Sequence, residues 1–405
     1  GRGPGAAGTA GDRGSKRGGR SRAAGQAAAA VAHTDPEAGG EASPILEDFK
    51  AVLRGAVDAS QVSPFVYSCA CDAAGSQFIV SELEATCAQG SKSNEGDVLF
   101  GALLPFAGNL ARDAHGSLVV QQLLQLGNER QRNEIVTSLL LDIPTLSRNA
   151  RGCRVVQTAI EVSPPEAQAQ IAAELREHVI QCIESMHGNY VIQCCVVNMP
   201  PDYIDFVVRA AEREGIKMAS HAYGCRVVQR LLERATASQL LRLRALLRGS
   251  VHDLVQDRYG NYVVQHMLLH GPLEDQKLIL KIVNDNALDF ARHRYASNVL
   301  EKALDLVSTP GPAAMLSEQR AVLFDRLLGR TGDEQPSPLR LLALNRSGGF
   351  IAQRLVEYAT GDVELQRAQE VLHDVHDQLR RTSHGRKILG ILSDGARDGA
   401  GTGES

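Results

Sequence analysis

One phrase returns along this sequence at a fixed interval, and that interval constrains the fold more than any other feature. HGSLVVQQLL (115–124), RGCRVVQTAI (151–160), HGNYVIQCCV (187–196), YGCRVVQRLL (223–232), YGNYVVQHML (259–268) and YASNVLEKAL (295–304) each begin thirty-six residues after the last. Such a period marks a stacked array, in which each supersecondary unit buries its apolar face only against its neighbours. Weaker copies flank the six, AGSQFIVSEL (74–83) and SGGFIAQRLV (347–356), so eight units are expected. The irregular spacing at the two ends is accounted for by inserted loops: AQGSKSNEGD (88–97), then STPGP (308–312) and TGDEQPSP (331–338). Half-units at 45–55 and at HGRKILGILSD (384–394) would cover the apolar ends.

The local signals are helical. Aromatics make up 4% of the chain and Trp is absent, which disfavours sheets. A helical stretch precedes each phrase, and Ser163 to Glu166 and Thr236 to Gln239 fit capping boxes. The Gly near the start of each phrase, such as Gly188 or Gly224, is expected to make a tight turn into a second helix. Each unit then reads as a helix pair, and the fold class is all-α.

Number the second helix from the residue after that Gly. At about 100° per residue, positions 1, 2 and 5 fall near 0°, 100° and 40°, while positions 3, 4, 7 and 8 fall between about 200° and 340°. The second set is apolar, as in Val119, Val120, Leu123 and Leu124, and is the expected core. The first set is Cys153, Arg154, Gln157; Asn189, Tyr190, Gln193; Cys225, Arg226, Gln229; Asn261, Tyr262, Gln265; and Ser297, Asn298, Glu301. A single Gln or Arg on a helix face is ordinarily solvated surface. Five copies in register are different, because solvent does not demand a small or amide residue, a flat residue and a Gln or Glu at fixed angles. Stacked bases whose edges are read by polar groups demand all three.

On these residues the chain resembles the Pumilio family of RNA-binding proteins, over about 45–394. The resemblance implies a right-handed α-solenoid crescent of eight three-helix Pumilio-type repeats with terminal half-repeats, which binds single-stranded RNA antiparallel, one base per repeat. It further implies binding in messenger-RNA 3′ untranslated regions and control of stability or translation. Carried over residue by residue, Asn189/Gln193 and Asn261/Gln265 imply uracil, Cys153/Gln157 and Cys225/Gln229 imply adenine, and Ser297/Glu301 implies guanine. A carboxylate can accept from both guanine N1–H and its exocyclic amine. Arg154, Tyr190, Arg226, Tyr262 and Asn298 would stack between bases.

The outer units depart from this pattern. Ser117 and Gln121 resemble an adenine reader, with Leu118 in place of the stacker. The first unit has Ser76, Gln77 and Val80 and lacks the position-5 amide. The eighth keeps Phe350 as stacker and Gln353 as reader, with Gly349 where Asn would stand. The implied target is 5′-UGUAUAAN, with GUAUA as its strongly specified part.

The remaining features are consistent with a binding protein and suggest no enzyme. The net charge of −4 argues against a general polyanion binder, so a nucleic-acid site must be local. Residues 1–44 read as a disordered Gly/Arg/Ala-rich tail, whose GDRGSKRGGRSR run is chiefly a solvated linker, and 395–405 as a second tail. The Arg- and Ala-rich start leaves an organellar transit segment open, although its glycines disfavour an amphipathic helix. The eight cysteines form no CxxC pair and read as reduced thiols, and no apolar run is long enough to span a membrane. Cys194-Cys195, Cys69-x-Cys71 and His373-x-x-His376 lack the partners of a metal site. The expectation is a cytoplasmic monomer without metal, cofactor or catalytic group, whose outer face is free for protein co-regulators. An armadillo- or HEAT-like protein-interaction scaffold is the alternative class, and a ribosome-biogenesis relative is the alternative within the fold.

Overall fold

The thirty-six-residue period resolves into three helical pieces per unit, where the sequence pattern suggested two. In the third unit these are a short first helix Ile143–Arg148, the phrase-bearing second helix Gly152–Val162 and an outer third helix Pro165–Leu175. The 3-10 turns Leu140–Asp142 and Arg176–His178 join third helices to the next first helices, and the breakers near such joints, Pro144, Gly215 and Gly249, share no position in the repeat. The third helix of the fourth unit and the first helix of the fifth even merge in Asp205–Ala219, interrupted only at Glu214 (φ −124°, ψ 20°).

This computed structural model describes residues 44–53, 59–89, 95–310, 312–329, 337–345, 348–359 and 362–399. The chain falls into two units, Gly1–Glu41 and Ala42–Ser405, and the second is described here. The expected N-terminal tail lies outside the described residues up to position 43, as does most of the insertion around 331–338. At the other end the helix Ser383–Gly399 runs past the expected boundary at 395.

The second helices pack side by side in one row: Ala73–Gln89, Gly116–Leu126, Gly152–Val162, Gly188–Asn198, Gly224–Arg234, Gly260–His270, Ala296–Ser308 and Gly349–Glu357, with Ser383–Gly399 against the last. At the opposite end Pro44–Leu53 packs on Ala59–Cys71, and Phe49 meets Phe78 edge to face. Positions 3 and 4 form the continuous core, with Val119/Val120, Val155/Val156, Val191/Ile192, Val227/Val228, Val263/Val264 and Val299/Leu300 all fully buried. Each such side chain contributes about 1.5–3 kcal/mol.

Each second helix is started by a cap that shares a position, but not a residue type, from unit to unit. Three residues before the phrase Gly stands an acceptor side chain that receives its backbone N–H. Asp113 bonds Gly116 at 2.8 Å, Asn149 bonds Gly152 at 2.9 Å, Ser185 bonds Gly188 at 3.1 Å and Asp257 bonds Gly260 at 2.6 Å. In the fifth and seventh units the acceptor is an imidazole Nδ1, His221 to Gly224 and His293 to Ala296, each at 3.2 Å. Asp72, Asn345 and Thr382 do the same at the ends of the row.

Two local expectations are corrected. The Thr236/Gln239 capping box is present, but Ser163 caps nothing: Pro164 occupies the N-cap, and the buried Ser163 hydroxyl has no partner. A capping box does occur at Asn128/Gln131. Nor does the phrase Gly of the second to sixth units stand before the second helix: it is that helix's first residue and needs no left-handed backbone, since the positive φ found among described glycines is at Gly329. A Cβ at Gly188 would lie 2.6 Å from the Cys182 carbonyl oxygen, so Gly permits the second helix to lie close against the end of the first.

Candidate nucleic-acid interface

The three position classes occupy three depths. Position 1 is a buried floor: Ser117, Cys153, Asn189, Cys225 and Asn261 are at most 3% exposed. Ser297 is half-buried. Position 2 stands proud, with Tyr190 and Tyr262 about half exposed, Arg154, Arg226, Leu118 and Phe350 exposed, and Asn298 half-buried. Position 5 lies between, with Gln121, Gln157, Gln193, Gln265 and Glu301 half-buried and Gln229 and Gln353 buried. Burial raises the Cys153 and Cys225 thiols above their ordinary pKa, which keeps them neutral.

The hydrogen bonds orient the position-5 amides. Asn261 spends both amide hydrogens on the carbonyls of Asp257 and Arg258, each at 2.9 Å, and its Oδ1 receives Gln265 Nε2 at 2.9 Å. Asn189 does the same with Ser185, Met186 and Gln193. The Asn thus anchors the Gln, while its Oδ1 keeps a second lone pair. Gln265 and Gln193 are left with one acceptor, Oε1, and one remaining Nε2–H. Where position 1 is small, the Gln anchors deeper, on the backbone: Gln157 Nε2 bonds the Cys153 carbonyl at 2.8 Å, and Gln121 bonds that of Ser117 at 2.9 Å. Gln229 is different again, since its buried Nε2 has no partner in the protein.

One pair of successive position-2 groups meets across a unit boundary. The Arg226 guanidinium lies 5.8 Å from the Tyr262 ring centroid. Two van der Waals layers of about 3.5 Å need about 7 Å, so a flat ring would enter between them after an opening of about 1 Å.

The seventh and eighth units differ from the rest. Glu301 is the carboxylate at position 5, and its Oε1 lies 3.6 Å from Arg354 Nη2 of the eighth unit. Burial, then the nearby Asp305, raise its carboxyl above the ordinary range, opposed by Lys302 and Arg354. Gln353 has both ends engaged, with Nε2 donating to Glu357 at 2.6 Å and Oε1 lying 3.4 Å from His384 Nδ1. In the first unit Ser76 is buried, Gln77 exposed and Val80 half-buried.

Elsewhere, Cys69, Cys182, Cys194 and Cys195 are buried free thiols whose pKa burial raises. His373 and His376 each sit beside the aspartate that follows them. Among the described residues no group of three metal-ligating side chains gathers, and no helix is long and apolar enough to cross a membrane.

A row of second helices, each with a buried anchor, an oriented amide or carboxylate and an exposed flat group, defines a modular helical-repeat binding protein. A family model described as the Pumilio-family RNA binding repeat matches residues 108–140, 142–176, 178–210, 216–244, 250–283 and 286–311. The chain belongs to the Pumilio family. The first five matched stretches each cover most or all of a first, second and third helix and the sixth covers a first and a second, so six of the eight expected units are matched. Pumilio homology domain family member 4 of Saccharomyces cerevisiae is 28% identical over 207 residues, 46% of this chain and 20% of that one. Pumilio homolog 12 of Arabidopsis thaliana is 24% identical over 305 residues, 74% of this chain and 48% of that one. The chain thus spans less than half the length of either relative. Among solved structures, that of PUF-8 in complex with PBE-RNA is similar with a TM-score of 0.74 and 25% identity, covering 87% of this chain and 99% of that one. The Puf4 RNA binding domain bound to an HO endonuclease RNA 3′ UTR recognition sequence gives 0.70 and 26%, covering 80% and 97%. Family membership sets aside the armadillo- or HEAT-like alternative.

Proposed function

We propose that the row of second helices binds single-stranded RNA sequence-specifically, one base per unit over eight units, with 5′-UGUAUAAN as the target. The observation that carries this reading is the anchored glutamine. Once tethered, Gln193, Gln265 and Gln157 each present one acceptor and one donor, the complement of the N3–H and carbonyl of uracil or of the N1 and amine of adenine. The anchor then chooses between bases. An Asn anchor holds the Gln outward on a side chain, where a pyrimidine fits; a backbone anchor beside Cys or Ser draws it back and leaves room for a purine. Gln229, with its buried Nε2 unpartnered, is the reader that gains most from a bound adenine.

Glu301 reads guanine, and Arg154, Tyr190, Arg226, Tyr262, Asn298 and Phe350 stack. Ser117 and Gln121 read adenine. Gln353, already satisfied by Glu357 and His384, discriminates weakly. The bound messages are 3′ untranslated regions, and the outcome is control of translation or stability in the cytoplasm by a monomer that recruits protein co-regulators. The name of a Caenorhabditis elegans relative, Fem-3 mRNA-binding factor 2, and the 3′ UTR ligand of the similar Puf4 structure support that assignment. The test is in vitro selection from a random RNA pool against the full chain. Enrichment of GUAUA is expected, and a selected pool without a common motif would refute the reading.

A further inference from the structure

The seventh second helix carries two carboxylates one turn apart, and the two are neutralised differently. Asp305 is satisfied by Lys302 Nζ of its own helix at 2.8 Å and by the Tyr358 hydroxyl of the next unit, which donates to it at 2.9 Å. Glu301 faces a cation from the next unit, Arg354, at 3.6 Å. That guanidinium is held in place. Its Nη1 bonds Glu357 at 3.0 Å, and its plane lies 5.8 Å from the Phe350 centroid and 5.7 Å from that of Tyr358.

We propose that Arg354 is a specificity-determining positioning residue, whose ion pair across the unit boundary keeps Glu301 ionised and aimed for guanine. The inference rests on Glu301 being the base-facing group. Guanine offers two adjacent donors, and only an ionised carboxylate accepts both; a protonated one turns a hydroxyl toward a donor. The site works against ionisation, because burial and Asp305 both raise the Glu301 carboxyl. Lys302 and then Arg354 oppose that shift, and Arg354 does so across 3.6 Å, so it supplies charge from the next unit while leaving the carboxylate oxygens accessible to the base. The glutamines at position 5 in the second to sixth units are neutral and need no counterion.

The test uses the full chain with Arg354→Met, which keeps the apolar stem, and Arg354→Lys, which keeps the charge, each also combined with Glu301→Gln. Competitive binding of RNAs containing GUAUA or AUAUA is measured from pH 5.5 to 8, with thermal unfolding of every variant alongside. Arg354→Met should cut the preference for G over A by about fivefold or more at pH 7, and the preference should fade at a higher pH than in the wild type. Arg354→Lys should recover much of it. In the Glu301→Gln background Arg354→Met should leave base preference unchanged, and the choice between GUAUA and GUUUA, made in the fifth unit, should not move in any variant. An unaltered G:A ratio and pH profile in Arg354→Met would overturn the proposal. If the wild type itself shows no preference for G, the assignment of Glu301 falls first, and that failure is visible before any variant is compared.

Discussion

Rebuilding the seventh unit in the image of the sixth should convert its preferred base from guanine to uracil. The perturbation is Ser297→Asn with Glu301→Gln. In the sixth unit Asn261 hangs on the carbonyls of Asp257 and Arg258 and carries Gln265 on its Oδ1. The corresponding carbonyls in the seventh unit belong to His293 and Arg294, and both already face residue 297. Ser297 N donates to His293 O at 3.1 Å, and its hydroxyl lies 3.4 Å from Arg294 O. An Asn at 297 therefore finds the same two acceptors, and a Gln at 301 finds its anchor. Guanine loses the two charge-assisted bonds to the carboxylate and meets an amide N–H opposite one of its own donors. Uracil, which the carboxylate repels by setting acceptor against acceptor, gains one donor and one acceptor. Arg354 loses the Glu301 charge but keeps Glu357, a cost common to both RNAs that cancels from their ratio. The preference should swing by about 1–3 kcal/mol, or about 5- to 150-fold. Competitive fluorescence anisotropy with RNAs containing GUAUA and UUAUA, on both proteins, reads that ratio directly. A double variant that retains the wild-type preference for guanine would refute the assignment of Glu301 as the base reader.

Tyr262→Ala should weaken binding of the GUAUA RNA by about 1–3 kcal/mol while leaving base preferences unchanged, because every base has a π-face; titration with single-base variants of the RNA checks both halves. Gly188→Ala places a Cβ 2.6 Å from the Cys182 carbonyl oxygen and 2.8 Å from its Cα, backbone that cannot rotate away. It should cost about 1–3 kcal/mol in urea unfolding, and no loss would mean the first and second helices are not locked at that distance. Asp257→Ala removes the acceptor for the N–H groups of Tyr259 and Gly260 and should cost about 1 kcal/mol in the same assay. Because Asn261 hangs on the Asp257 carbonyl, this change should also blunt discrimination at the sixth unit more than at the fourth.

How much was legible beforehand follows from what a period can encode. A helix turns about 100° per residue, so a phrase repeated every thirty-six residues states which side chains share a face, and the stripe of positions 1, 2 and 5 and the core valines could be placed without coordinates. The row of second helices was readable for the same reason. Four things were not. The break between third and first helices carries no breaker at a fixed position of the repeat, with Pro144, Gly215 and Gly249 each offset differently from its phrase, so each unit looked like a pair. The caps at Asp113, Asn149, Ser185, His221, Asp257 and His293 share a position but not a residue type, and only the bond to the phrase Gly reveals their common role. The identity of Asn189 and Asn261 suggested base-edge groups, but not that their amides would also bond the preceding turn and set where Gln193 and Gln265 stand. The pairing of Glu301 with Arg354 lies furthest from the sequence. The two are separated by more than fifty positions and by the insertion that breaks the period, so only the packing of one second helix on the next could set that charge beside that carboxylate. Sequence by itself determined the module and the face each residue takes, because those follow from local helical geometry. Tertiary structure alone decided which polar atoms remain free to meet a ligand, because that depends on distances between units.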